Sequence, residues 1–435
     1  MSEFARRPER GRAVTDPALL ELEAGRIATG GGCVARADDG RVVFVRHCLP
    51  GERVLAAVTE ETRSYFRADA LQIIEPFPER VTPPCPFAGP GRCGGCDWQH
   101  VALAAQRNLK ADLVAEQLRR LSGIERAVEV EEVAGAPGGL GWRSRVRFGV
   151  DDRGRVGLHK HRSHELQPVD RCLIASAAVE AVGVESREWP GVEDLEVFAS
   201  DETGKAVVSL TTHRRRLGEL PPIDAGLVVN RRVAREPERL AFEVLKRHYE
   251  VSAGVFWQVH PGAARVLGRA VLDGLAARPG DRVADLYAGA GLFAGLVGDV
   301  VGQSGSVLAV ERDRWACADA ARNTADLPHV QVFKGAITAA LVRERLGNVH
   351  LAVLDPSREG AGRAVMASLA ALQPGARRIV YVACDPASFA RDLRVLLDAG
   401  WVLHSLKAFD LFPMTYHVEL VAVIEPPQVR ATNGS

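Results

Sequence analysis

Two groups of residues in this sequence are of types that do chemistry. The first is a single thiol. Ile379-Val-Tyr-Val-Ala-Cys384-Asp-Pro386 is an apolar, β-branched run that stops at a cysteine and an Asp-Pro turn. Such a run reads as a buried parallel strand with an open C-terminal end, and in doubly wound sheets ligands bind outside the carboxyl ends of the strands. Cys384 is therefore placed like a nucleophile; the competing reading is a small buried hydrophobe. The second group is Pro83-Pro-Cys85-Pro-Phe-Ala-Gly-Pro-Gly-Arg-Cys93-Gly-Gly-Cys96, a Pro/Gly loop holding three thiols. Turn residues let the chain wrap a small object, and Cys-x-x-Cys lets two sulfurs reach it together. Cys172, in Val169-Asp-Arg-Cys172, is the best remaining fourth ligand. Zinc and an iron–sulfur cluster both accept four thiolates, and spacing does not separate them. Cys33, Cys48 and Cys317 fall in strand-like or helical patterns and read as packing residues.

The elements that must position Cys384 begin near residue 250, where strands alternate with helices. Val283-Ala-Asp285-Leu-Tyr287-Ala-Gly289-Ala-Gly291 is a strand turning through glycines into a helix, which lets the backbone approach a ligand closely. The next strand, Val307-Leu-Ala-Val-Glu311, ends in an acid about twenty residues on, where a carboxylate accepts bonds from ribose hydroxyls. NAD and S-adenosylmethionine both fit that geometry. The dinucleotide fingerprint Gly-x-Gly-x-x-Gly is absent, and Asp285 before the turn suits the methyl donor better. Val330-Gln-Val-Phe333 gives a third strand, His350-Leu-Ala-Val-Leu354 a fourth ending in Asp355-Pro-Ser-Arg-Glu-Gly360, and Cys384 closes the fifth. Trp401–Ala408 and His417–Ile424 read as a closing hairpin edge. The pattern predicts an α/β fold with a seven-stranded Rossmann-like sheet of methyltransferase type. Polar groups then stand at four strand ends: Asp285, Glu311, Asp355 and Cys384.

Upstream, Leu20 to Ile74 offers short alternating runs broken by Asp38-Asp-Gly40 and Leu49-Pro-Gly51, which predicts a small β-barrel. Val101 to Leu121 has the periodicity of an amphipathic helix. Gly141-Trp-Arg143-Ser-Arg145-Val-Arg147 alternates basic with other residues, so on a strand three guanidinium groups share one face. With Lys160-His161-Arg162 and Arg214-Arg-Arg216 these form local basic patches suited to phosphate. They matter because the chain as a whole has no basic field: Lys+Arg and Asp+Glu are 55 each. No apolar run approaches the roughly 20 residues of a membrane span. Arg6, Arg7, Arg10 and Arg12 lack a following apolar segment, so the N-terminus is no signal peptide and reads as a disordered lead-in to a cytoplasmic protein.

Gly30-Gly-Gly-x-Val-Ala-Arg36, Val43-Phe-Val45 and Leu49-Pro-Gly-Glu52 resemble a TRAM domain, a small OB-like RNA-binding barrel. The whole chain, from about residue 20 to 425, resembles the bacterial RNA uracil-5-methyltransferase family, in its branch with a TRAM domain and a four-cysteine iron–sulfur cluster. The marks are Cys85/Cys93/Cys96, Phe256-x-Gln258, Asp285-Leu-Tyr-x-Gly-x-Gly, Asp355-Pro-x-Arg-x-Gly, Tyr381-Val-x-Cys384-x-Pro and His417-Val-Glu419. The resemblance implies Cys384 as nucleophile and Glu419 as base. It assigns Gln258, Tyr287, Glu311 and Asp355 to S-adenosylmethionine, and Cys85, Cys93, Cys96 and Cys172 to a [4Fe-4S] cluster. It implies a lead-in at 1–16, a TRAM barrel at 17–78, a central α+β iron–sulfur domain at 79–250, the methyltransferase domain at 251–427 and a tail at 428–435. The sequence departs from the family pattern at Ala383, Asp385, Ser357, His260, Leu292 and Ala336.

The chemistry is coherent with these residues. Uracil carbon 5 is a poor nucleophile, so a thiolate first adds to carbon 6; carbon 5 of the resulting enolate then takes the methyl group. A general base removes the carbon-5 proton, and the thiol leaves. A base inside folded RNA must be splayed out to react, and Tyr381, Phe256 or Trp257 are candidates to face it. The expected partner is RNA, with 23S rRNA favoured over the T-loop of tRNA, and the expected state is a monomer. RNA cytosine-5 methylation is disfavoured because Ser357, not cysteine, follows Pro356. A non-catalytic RNA-binding or redox-sensing iron–sulfur protein is the other class of answer.

Overall fold

The computed structural model describes Arg12–Ala13 and residues 17–213, 218–372 and 375–427. The arginines at 6, 7 and 10, the Arg214–Arg216 cluster and the tail from 428 lie outside the described residues. The chain divides into two compact units. One comprises residues up to Leu113 with Leu158–Gln167 and Pro413–Tyr416; the other comprises Val114–Gly157, Pro168–Phe412 and the residues from His417.

In the first unit, β1 (Arg12–Ala13), β2 (Leu19–Glu23), β3 (Cys33–Arg36), β4 (Val42–Arg46), β5 (Arg53–Glu61) and β6 (Tyr65–Glu75) form one sheet. It closes on itself because Gly25 donates to Val34 and Val34 to Arg26, at 2.8 and 2.9 Å, joining the end of β2 to β3. Register shifts in the long β5–β6 pair bend these strands as a closed barrel requires. The expected lead-in through residue 16 needs correction at Arg12–Ala13, which pairs with Glu61 and Glu60 as an edge strand. The end of the Leu49-Pro-Gly-Glu52 turn has a second task. Glu52 is fully buried and accepts from Leu49 N (2.8 Å), Phe77 N (3.1 Å) and Arg80 Nε (2.6 Å) and Nη2 (2.7 Å). Burial raises its carboxyl, but Arg80 and the two amides outweigh that and hold it below the usual carboxylate range.

The second unit carries the catalytic-type sheet. β7 (Val130–Glu132) comes first in the chain. β8 (Arg145–Val150), β9 (Val156–His159) and β10 (Leu166–Pro168) follow, then α2 (Ala177–Val182), with α1 (Leu103–Gln117) preceding them all; α1 up to Leu113 and the Leu158–Gln167 parts of β9 and β10 belong to the first unit. β8 pairs with β11 (Asp194–Ser200), which pairs with β12 (Lys205–Thr211); β13 (Gly226–Val229) and β14 (Arg232–Arg235) extend that sheet. A hairpin, β15 (Arg239–Val244) and β16 (Arg247–Ser252), leads into α3 (Ala263–Leu275). Then come β17 (Arg282–Leu286), α4 (Leu292–Val301), β18 (Ser306–Glu311), α5 (Arg314–Asn323), β19 (Val330–Lys334), α6 (Ala339–Arg345), β20 (Leu351–Leu354), α7 (Arg363–Ala370), β21 (Arg378–Ala383), α8 (Pro386–Asp398), β22 (Val402–Asp410) and β23 (Glu419–Glu425).

The sheet order is β19-β18-β17-β20-β21-β23-β22-β7. β17 to β21 are parallel; β17, β20 and β21 are almost wholly buried, which is why they read as unbroken apolar runs, while the edge strand β19 is partly exposed. Two points differ from the expected seven strands with a hairpin edge. β23 inserts antiparallel between β21 and β22, and β7 adds an eighth strand parallel to β22 through Val130↔Ala408. Three residues of β7 are too few to give a periodic signal. Among the described residues no helix is long and apolar enough to cross a membrane.

Glu52→Gln is expected to destabilise the barrel by about 3 kcal/mol, since removing one partner strands a half-buried guanidinium. Because the native carboxyl is depressed, its contribution is present at neutral pH and lost as pH falls through the native value. Denaturant midpoints of wild type and variant should therefore converge in acid; a gap independent of pH would refute this role.

Candidate active site

The register of β21 against β23 runs from Ile379↔Ile424 to Ala383↔Leu420, and Cys384 and Glu419 are the residues immediately beyond that last pair, close enough for Glu419 to act on the Cys384 thiol. Glu419 is buried and Cys384 half-buried. Burial pushes the Cys384 thiol up to about 12, and the charges of Glu419 and Asp355 add to it; Arg358 opposes them, and Asp385 adds a smaller push. Glu419 is raised well above the usual carboxylate range, first by burial and then by Asp355, against Arg358. Asp355 follows β20, where its amide donates to Leu286 O at 3.2 Å, and burial raises its carboxyl also. The acids at this edge are thus held in their protonated direction, because a cluster of buried like charges cannot all ionise.

Asp285 and Glu311 continue the same edge. Asp285 is 1% exposed, and its carboxylate has the Ala294 amide as a nearby donor, outside strict hydrogen-bond geometry. Burial pushes it up to about 8, with Asp355 and Glu311 adding, while the Ala294 amide acts on its charge from the opposite direction. Glu311 accepts from Gly289 N (3.0 Å), Arg312 N and Asp313 N (both 2.7 Å), tying the glycine loop to the strand end. Within that loop Tyr287 has φ 66°, a left-handed conformation that costs an aromatic residue about 1–3 kcal/mol. A side chain added at Gly289 would meet open space. Gln258 is half-buried in the segment before α3.

Sequence reasoning missed Asp392. This buried carboxylate of α8 accepts from Tyr381 Oη (2.7 Å), Ala361 N (2.7 Å) and Gly362 N (3.1 Å). No periodicity marks it, since its position on α8 reads as an ordinary polar one. It also removes Tyr381 from the residues expected to face a splayed base: the hydroxyl is taken and the ring packs edge-on against Phe389 at 5.4 Å. Trp257 is likewise core, stacked on Phe242 at 5.2 Å. Phe256 alone of the three is exposed, at 66%.

The basic patches divide. Arg145 is not available to phosphate: it donates to Glu196 (3.0 Å) and Val255 O (2.7 Å) and lies over Phe198 at 3.9 Å. In the first unit, Arg46, Arg67, Arg92, Lys160 and Arg162 line a groove of about 790 Å³ that also presents Phe44 and Tyr416; Glu60, Asp69 and Glu165 line it too and pair with all of these cations but Arg92. His161 belongs to the groove, but burial first, then Arg46, Arg162 and Arg67, pull its pKa down to about 4, so it adds no charge near neutral pH. Cys85, Cys93 and Cys96 are half-buried and Cys172 is buried. Gly95 N lies 3.4 Å from Cys93 Sγ. Among the described residues no three His, Cys, Asp or Glu side chains are arranged to hold a metal ion, so the expected four-thiolate ligand set is not assembled as the thiols stand. Cys33, Cys48 and Cys317 are buried, as packing residues should be.

No protein-family model matches the chain. An uncharacterised RNA methyltransferase of Streptomyces coelicolor is 46% identical over 441 residues, spanning 95% of both chains. The chain belongs to the RNA methyltransferase family. Within it, the 23S rRNA (uracil(1939)-C(5))-methyltransferase RlmD of Alkalilimnicola ehrlichii is 32% identical over 432 residues, covering 89% of this chain and 92% of its own. The solved structure of the Pyrococcus abyssi tRNA (uracil-54, C5)-methyltransferase with S-adenosyl-L-homocysteine matches the fold with a TM-score of 0.68 at 21% identity, over 93% of this chain and 100% of that one. This RNA methyltransferase therefore has the α/β methyltransferase fold over nearly its whole length.

Asp385 caps α8, accepting from Ser388 N at 2.7 Å, and stands beside Cys384 where the pattern has Asn. Asp385→Asn keeps a good cap and removes one negative charge. Cys384 should then alkylate a few-fold faster at pH 8, less than the tenfold that one pKa unit represents, with stability within about 0.5 kcal/mol. Unchanged alkylation of the Cys384 peptide, followed by mass spectrometry, would contradict this.

Proposed function

We propose that this enzyme transfers a methyl group from S-adenosylmethionine to carbon 5 of a uridine in RNA, with 23S rRNA as the favoured substrate. The observation that carries the reading is the pairing of Cys384 with Glu419 at one strand end, beside Asp355. The methyl donor supplies an electrophilic methyl group. The residues suited to hold it are Asp285, whose buried oxygens have no donor in strict hydrogen-bond geometry, Glu311 beside the open space at Gly289, Tyr287 in the same loop, Asp355, and Gln258 next to exposed Phe256.

Cys384 acts as thiolate. Its sulfur bonds to uracil carbon 6, and the electron pair of the 5,6 double bond moves onto the O4 enolate. Carbon 5 then takes the methyl group. Glu419, ionised for the step, removes the carbon-5 proton; the pair left behind restores the double bond and expels the thiolate. Both groups are raised in the free protein, so RNA binding must proceed with loss of their protons or with cationic compensation, for which the sulfonium charge is suited.

The support for RNA as substrate is threefold: family membership, the basic groove of the first unit with its aromatic rings, and exposed Phe256, which offers a stacking face. The barrel is read as the TRAM module. The choice of 23S rRNA over tRNA rests on the relatives named for uracil methylation of 23S rRNA at about 30% identity. A [4Fe-4S] cluster on Cys85, Cys93, Cys96 and Cys172 belongs to the same proposal on donor chemistry alone: four cysteines, three of them in one Pro/Gly loop.

With RNA carrying 5-fluorouridine at the target, wild type should form a covalent adduct and Cys384→Ala none, with turnover on normal RNA abolished. Glu419→Gln should still add the methyl group but release product about 10²–10⁴-fold more slowly, so methylated RNA stays bound to protein. Methylation by Cys384→Ala would remove the nucleophile assignment. For the cluster, anaerobically purified protein should be brown with iron and sulfide in equal amounts, and Cys93→Ala should lose both; colourless protein with stoichiometric zinc would overturn that assignment.

A further inference from the structure

Asp392 stands at the meeting point of three segments that build the site. Its Oδ2 accepts from Ala361 N and Tyr381 Oη, both at 2.7 Å, and its Oδ1 accepts from Gly362 N at 3.1 Å. Ala361 and Gly362 end the loop that begins at Asp355, and Tyr381 lies on the strand that ends at Cys384. The carboxylate also acts on the hydroxyl of Tyr287 in the glycine loop, which burial and this charge push up to about 12. The fit is close: a Cβ at Gly360 would come within 2.6 Å of Asp392 Oδ2, and Gly360 has φ 85°.

Between Asp355 and the gripped amides lies the turn Ser357–Gly360, closed by Gly360 N to Ser357 O at 2.8 Å. Arg358 projects from it, with its Nη2 3.2 Å from His417 Nε2. The charged groups acting on Cys384 are Glu419 from β23, Asp355 and Arg358 from this loop, and Asp385 from the cap of α8. Arg358 is the one cation among them, and nothing on its own turn fixes it except what holds the turn.

We propose that Asp392 is a positioning residue: by gripping Ala361 and Gly362 it holds the Arg358 turn against the Cys384–Glu419 pair, and so sets the charge felt by the thiol without touching it. The inference rests on Cys384 being the nucleophile for its bearing on turnover, but not for its measurement. Gly362 N also reaches Oδ2 at 3.3 Å, but an amide at this position cannot accept on both atoms, so Asp392→Asn sets an N–H group against one of the three donors and weakens the grip. Freed, the turn takes Arg358 away, and the thiol loses the one charge that favours its ionised form.

The test is the pH profile of Cys384 alkylation in the full-length protein, read by mass spectrometry of its peptide. Asp392→Asn should shift the profile to higher pH and slow alkylation at pH 8 about three- to tenfold. Gly360→Ala, which crowds the same carboxylate while keeping it, should shift it in the same direction and serves if the first variant does not fold. In an Arg358→Gln background, Asp392→Asn should add nothing further. Profiles of both single variants that superimpose on wild type would overturn the proposal, as would an undiminished effect of Asp392→Asn without Arg358. Failure of wild type to form the 5-fluorouridine adduct would instead sink the nucleophile reading and leave this comparison standing.

Discussion

The antiparallel insertion of β23 beside β21 is the constraint on which the site depends. A parallel sheet alone delivers side chains to its carboxyl edge from strands that all run the same way. β23 runs against them, so its first residue, Glu419, and the residue after β21, Cys384, both stand just beyond the last pair of that ladder, Ala383↔Leu420. The backbone ladder fixes the pairing, and slipping it by one residue would turn Glu419 to the other face. A thiol and a carboxyl separated by a long stretch of chain are therefore held together by hydrogen bonds that belong to neither.

The cost of that arrangement is electrostatic. Asp285, Glu311, Asp355 and Glu419 share one edge, Arg358 is the cation acting on Glu419, and the buried acids are raised rather than ionised. A site with surplus negative groups, and with oxygens at Asp285 outside strict hydrogen-bond geometry, is poised to receive positive charge. Desolvation that would be wasteful in a structural region is useful where a sulfonium ion is expected, because each buried carboxyl becomes a stronger partner once a cation enters.

Much of this was legible in the sequence because burial on both faces gives parallel strands a distinctive apolar signature. β17, β18, β20 and β21 end at Leu286, Glu311, Leu354 and Ala383, so the polar residue at or beside each end fell where the reading put it. What escaped were contacts made in three dimensions by residues of ordinary type. Arg145 reads as a phosphate ligand until Glu196 and Phe198 close around it, and Tyr381 reads as a recognition ring until Asp392 takes its hydroxyl. Three thiols in a Pro/Gly loop show which donors are available, but spacing carries no information on whether they converge.

The eighth strand bears on how the enzyme is made. Val130–Glu132 leaves the ribosome long before Ala408–Asp410, the segment it pairs with, has been translated. Elongation thus proceeds with this edge of the catalytic sheet unfinished, and a chain released early lacks both the partner for Val130–Glu132 and the carboxyl at 419. Prematurely terminated copies would lack the paired edge and carry an uncovered strand, the kind of surface that chaperones and proteases engage.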